Sequence, residues 1–144
     1  MPALPPIATT ICPASAGLRS ATLVAVVSVM GPPSAWLLAR AKRLLPPRLL
    51  ALAAQFDLAV TQVSVRNQRA RWGSCATGGR ISLNWRLIQT PDTVRDYVLI
   101  HELMHLRQPN HSARFWALVA RACPDHQASR RWLRAHEAAL LDGR

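Results

Sequence analysis

The sequence predicts an α+β fold: a small antiparallel β-sheet packed on a helix that carries reactive side chains, with further helices toward the C-terminus. Three observations lead there. Apolar residues recur at helical spacing before Phe56 and again after Thr90. Between them, Val60 to Arg66 and Arg80 to Arg86 alternate apolar with polar residues at period two. A helix that is apolar nearly all round, from Tyr97 to Leu106, carries two histidines and a glutamate at fixed spacing.

The elements follow in order. Residues 1–33 form an irregular N-terminal segment, because Pro2, Pro5, Pro6, Pro13, Pro32 and Pro33 interrupt any regular structure. Within it, Ala21 to Met30 is apolar but too short to span a bilayer. It lacks the basic start and small-residue cleavage site of a secretory signal, so the expected location is cytoplasmic, with secretion or membrane association through residues 18–30 the weaker reading. Residues 34–144 form the folded domain. Ser34 to Leu45 reads as one helix, capped by Ser34 and ended by Pro46-Pro47. Pro47 to Phe56 reads as a second, with Leu49, Leu52, Ala53 and Phe56 on one face. Val60 to Arg66 and Arg69 to Cys75 are extended, Thr77-Gly78-Gly79 is a turn, and Arg80 to Arg86 closes a hairpin. Thr90-Pro91-Asp92 then opens the central helix, with Thr90 as its cap, Pro91 in its first position and Asp92 at the positive end of its dipole. Ser112 to Ala122 is the next helix, with Phe115, Trp116 and Val119 inward. After Pro124-Asp125 the last helix runs to about Leu140, with Trp132, Leu133, His136 and Leu140 on its apolar face.

Composition bounds the partners. The 144 residues suffice for one domain with a core, and half of them are hydrophobic, which excludes disorder throughout. The net charge is +11, and of the 18 cationic residues only Lys42 is a lysine. Such an excess fits nucleic acid, an anionic surface or acidic substrates, although scattered arginines also make an ordinary solvated surface. Cys12, Cys75 and Cys123 are odd in number and form no C-x-x-C pair, which argues against a disulfide scaffold and fits a reducing compartment.

The central helix concentrates the chemistry. In His101-Glu102-Leu103-Met104-His105 the two histidines lie one turn apart and project from the same face, so both imidazoles can reach one metal ion. Glu102 stands beside them, placed to polarise a water on that metal. Catalytic zinc usually takes three protein ligands and keeps a fourth position open. His111 is a candidate third ligand, since Pro109 ends the helix and lets the chain fold back. Two histidines and a carboxylate on a buried helix are costly unless paired or bound to metal, which weighs against coincidence. His126 and His136 read as surface or packing residues. A thiol hydrolase built on Cys75 would leave the histidine spacing without a purpose.

These residues also carry a resemblance. Val65-Arg66-Asn67-Gln68, Arg71-Trp72-Gly73-Ser74-Cys75, Ile81-Ser82-Leu83-Asn84, Asp96-Tyr97-Val98 leading into His101-Glu102-Leu103-x-His105-Leu106, and Asn110-His111-Ser112 with Phe115-Trp116 resemble the YgjP-like metallopeptidases. These are zincins related in architecture to SprT-like proteases. The resemblance covers Trp36 to about His136, and Met1 to Pro33 does not share it. It implies a zincin-like fold and a zinc-dependent peptidase acting on a peptide or protein, with one Zn2+ held by His101, His105 and His111 and Glu102 as general base. Trp72, Gly73, Ser74 and Cys75 would lie near the cleft, with Asn84 a further candidate to line it. The basic surface keeps a second expectation open: a metal-binding domain associated with nucleic acid or nucleoprotein, with weak or no peptidase activity.

Overall fold

A computed structural model describes residues 35–141. The expected irregular segment, the apolar run before Met30 and the cap at Ser34 lie outside the described residues. Those described form four α-helices and a three-stranded sheet, an α+β arrangement. In chain order they are α1 (Ala35–Gln55), β1 (Gln62–Arg66), β2 (Gly73–Ala76), β3 (Arg80–Asn84), a 3-10 turn (Trp85–Gln89), α2 (Asp92–Met104), α3 (Ala113–Ala122) and α4 (His126–Leu141).

The first helix corrects the sequence reading. Pro46 and Pro47 lie inside one continuous helix rather than between two. A proline within a helix removes a hydrogen bond and costs about 3 kcal/mol. The burial pattern shows what outweighs that. Ala41, Leu45, Leu49 and then the pair Leu52 and Ala53 form one stripe, each step three or four residues long and running straight across the prolines, and each residue is at most 3% exposed. Breaking the helix at Pro46 would turn half of the stripe away from the core. Just past the prolines, Arg48 donates from Nε and Nη2 to the two carboxylate oxygens of Asp96 on α2, at 2.9 and 2.7 Å.

The sheet is mixed, where the alternating pattern predicted an antiparallel one. The order is β1-β3-β2, with β2 antiparallel to β3 and β1 parallel to it. The Thr77–Gly79 turn fixes the antiparallel hairpin locally, with Gly78 and Gly79 at φ of +84° and +81°. Where β1 pairs depends instead on the connection from Asn67 to Trp72, which crosses the end of β3. Asn84 holds that crossing. Its Nδ2 donates to the carbonyls of Gln68 and Arg71, and its backbone N–H donates to the Trp72 carbonyl. Asn67 adds a second clasp, its Oδ1 accepting from Trp85 Nε1 and Arg86 Nη1.

One core joins these layers. Leu83 of β3, Leu87 of the 3-10 turn, Leu99, Ile100 and Leu103 of α2, and Phe115 and Val119 of α3 are all fully buried. Thr90 does not cap α2 as expected. Its hydroxyl donates to the Leu87 carbonyl and closes the 3-10 turn, while Pro91 takes the cap position and accepts from the Arg95 N–H. On α4 only Ser129 and Leu133 are buried, so the expected apolar face narrows to the first half of that helix, and His136 is exposed. Among the described residues, no helix is long and apolar enough to cross a membrane.

Candidate metal centre

α2 brings His101 and Glu102 to the floor of a cleft beneath the sheet. His101 is in its last turn and His105 is its C-cap residue. The backbone stays helical at His105, then turns through Leu106 and Arg107, whose N–H groups donate to the Leu103 and Met104 carbonyls. Arg107 Nη2 anchors this turn to the residue just after α1 by donating to the Phe56 carbonyl at 2.8 Å. The chain passes Pro109 and reverses, and Ser112 starts α3 by accepting from the Phe115 N–H. His111 thus arrives from the coil between the two helices.

The result is a convergence of three ring nitrogens. His111 Nε2 lies 3.1 Å from His105 Nε2 and 3.2 Å from His101 Nε2. In a tetrahedral zinc site, Zn–N bonds of about 2.0–2.1 Å place neighbouring nitrogens about 3.3–3.4 Å apart, so this donor set fits a metal ion of that kind. The other ring atoms support the fit. His105 Nδ1 donates to the Gln108 carbonyl at 3.0 Å, which leaves Nε2 with its lone pair. His101 Nδ1 meets the Tyr97 hydroxyl at 3.3 Å. Burial, then the neighbouring His105 and His111, push His101 down to about 3, and burial also lowers His105, so both rings are neutral at pH 7 as ligands must be.

Glu102 is buried beside the cluster, 7% exposed. Burial raises its carboxyl to about 7, opposed by the positive charge of Arg71. Its side chain fits against Gly73 of β2. A Cβ there would lie 3.0 Å from Glu102 Cγ, 3.2 Å from Oε1 and 3.2 Å from the Ser82 carbonyl oxygen.

The cleft encloses about 750 Å³ and opens to solvent. The three histidines, Glu102, Arg71 and the β2 strand line it, including Gly73, Ser74 and Cys75. Two residues expected there are elsewhere. Asn84 is fully buried, its Nδ2 donating to the strand crossing and its Oδ1 accepting from the Arg86 N–H at the start of the 3-10 turn, and Trp72 packs half-buried against the core. The Cys75 thiol is half-buried, and burial, with Glu102 second, pushes it up, against the direction a thiolate nucleophile needs. His126 and His136 are outside the cluster and stack on Trp116 and Trp132.

Sequence reasoning missed the groups that orient the rings. Tyr97 stands four residues before His101, a helical spacing that was there to be read. The Gln108 carbonyl, and the stacking of Phe115 on His105 at 4.3 Å and 16°, required the fold.

The described residues thus join an α+β frame of the zincin-like kind to three imidazoles and a buried glutamate that packs against the edge strand β2. The chain belongs to the YgjP-like family, whose metallopeptidase-domain model matches residues 33–136. Its fold is also similar to the crystal structure of the metallopeptidase zymogen of Pyrococcus abyssi abylysin. That likeness has a TM-score of 0.56 at 20% identity, covering 65% of this chain and 96% of the other. No curated protein matches the sequence. As a peptidase, the protein acts on a peptide or protein.

Proposed function

We propose that the protein is a zinc-dependent peptidase in which His101, His105 and His111 hold one zinc ion and Glu102 is the general base. The observation that carries this is the approach of three imidazole Nε2 atoms to 3.1 and 3.2 Å on the cleft floor, with a buried carboxylate adjoining them.

When bound, zinc supplies a Lewis acid that acidifies a water and polarises a peptide carbonyl. The chain's own groups do the rest. Gln108 and Tyr97 fix the ring orientations of His105 and His101. Glu102 accepts a proton as the water oxygen bonds to the carbonyl carbon. It returns that proton to the nitrogen as the C–N bond breaks, which leaves a carboxylic acid and an amine.

Glu102→Gln keeps the shape of the side chain and loses its basicity. We expect it to retain zinc while hydrolysis of an unfolded protein substrate falls about 10²- to 10⁴-fold. His105→Ala should lose both zinc and activity. Cleavage by Glu102→Gln at the parent's rate would remove Glu102 from the mechanism.

A further inference from the structure

Trp116 takes no part in these proton transfers, yet its indole meets two of the three imidazoles. It lies nearly parallel to His111, with 24° between planes and 5.9 Å between centroids, and it meets His101 edge-on at 5.8 Å. The three ligands are not equally supported. His101 stands on α2 with Tyr97 behind it, and His105 is held by the Gln108 carbonyl and by Phe115 stacked on its ring. His111 is exposed and sits on coil, and among the described residues its Nε2 faces polar side-chain atoms of the other two histidines alone. Two soft side-chain torsions separate its backbone from the position its Nε2 must hold.

The indole that flanks His111 is itself held from α4. The Arg130 guanidinium lies over the Trp116 ring, 4.3 Å from its centroid, and His126 stacks on the same indole at 6.0 Å and 27°. Arg130 takes part in neither ion pair of the described residues, so its charge is free to face the ring. The planar guanidinium suits an indole face in a way that a lysine ammonium does not.

We infer that Trp116, held by Arg130 from the last helix, is a positioning residue that fixes the His111 ring where its Nε2 faces those of His101 and His105. This rests on the ligand role proposed for His111. It ties the completeness of the site to the docking of α4, which contributes no ligand. Outer partners of metal ligands typically carry about 10- to 100-fold in metal affinity, and the loss here belongs at the lower end because stacking is less directional than a hydrogen bond.

The test is the affinity of the full-length chain for Zn2+ alone, measured by competition with a chromophoric chelator. Trp116→Ala should weaken it about tenfold, chiefly through faster release, and Trp116→Phe should recover most of the loss. Arg130→Gln should weaken it in the same direction by less. Val119→Ala opens space in the core beside α3 and keeps every ring side chain in place, and should leave affinity within about twofold of the parent. Parental affinity in Trp116→Ala, alongside weakened His111→Ala, overturns the inference and leaves the ligand assignment standing. Equal weakening by Val119→Ala overturns it too, because Trp116 would then act only through packing. If His111→Ala itself binds like the parent, the ligand assignment fails first and takes the inference with it. Should Trp116→Ala lose its helical circular dichroism, Arg130→Gln decides the matter by the same comparison.

Discussion

Gly73 illustrates how little room the cleft leaves around Glu102. The glycine is needed for space: a methyl group at this position would press on Glu102 Cγ and Oε1 and on the Ser82 carbonyl oxygen. The backbone carbonyl cannot yield, so the glutamate side chain must move. Gly73→Ala is therefore expected to keep zinc and lose about 10- to 100-fold in kcat, since small displacements of a catalytic group are costly. Metal content and steady-state kinetics on one preparation check both halves. At this scale the sequence was informative where chemistry repeats at fixed spacing. His101, Glu102 and His105 are readable because a helix converts four residues into one turn. Gly73 appeared only as part of a segment near the cleft, since nothing local says that a glutamate 29 positions later occupies the place of its missing Cβ.

The helices and strands are tied by a few directional contacts, and the Arg48–Asp96 pair between α1 and α2 is the clearest. Its two ends differ: the Arg48 side chain is 45% exposed and the Asp96 side chain 8%. Removing Asp96 returns an arginine to water, whereas removing Arg48 leaves a buried carboxylate with its main partner gone. Arg48→Met should thus destabilise by about 2 kcal/mol and Asp96→Asn by about 1 kcal/mol, discounted for solvent screening at the arginine. Urea unfolding of the metal-free protein measures the asymmetry, and equal losses would contradict it. Pro47 gives a prediction of opposite sign. It is exposed inside α1, so Pro47→Ala restores an N–H to the helix and should stabilise by about 1–3 kcal/mol, less what the freer unfolded chain takes back. The sequence reading broke α1 at these prolines because local propensity favours a break there. It overlooked that the stripe from Ala41 to Ala53 keeps its phase across them. The parallel pairing of β1 was not legible either, because a hairpin turn specifies its own two strands and says nothing about a third.

Across the whole molecule, the candidate metal site joins several separate segments: α2, the coil at His111, the β2 wall and, through Trp116, the last helix. A ligand that binds only the assembled state stabilises it by mass action. Zinc at a hundredfold above its Kd should add about 2.7 kcal/mol, so a chelator should lower the melting temperature by several degrees. His105→Ala should melt at one temperature with and without the chelator. A parent protein whose melting ignores zinc would show that the three imidazoles do not hold it.

The sequence by itself determined the α+β class, the positions of most elements and the identity of the four residues on the cleft floor. Those depend on periodicity and short-range spacing, which a linear chain displays directly. Only the tertiary structure decided that α1 runs unbroken, that β1 lies parallel to β3, that Asn84 clasps a crossing rather than lining the cleft, and that Trp116 and Arg130 stand behind His111. Each of these is settled by burial or by contacts that local spacing does not specify, and such contacts acquire an energy only once the core has closed around them.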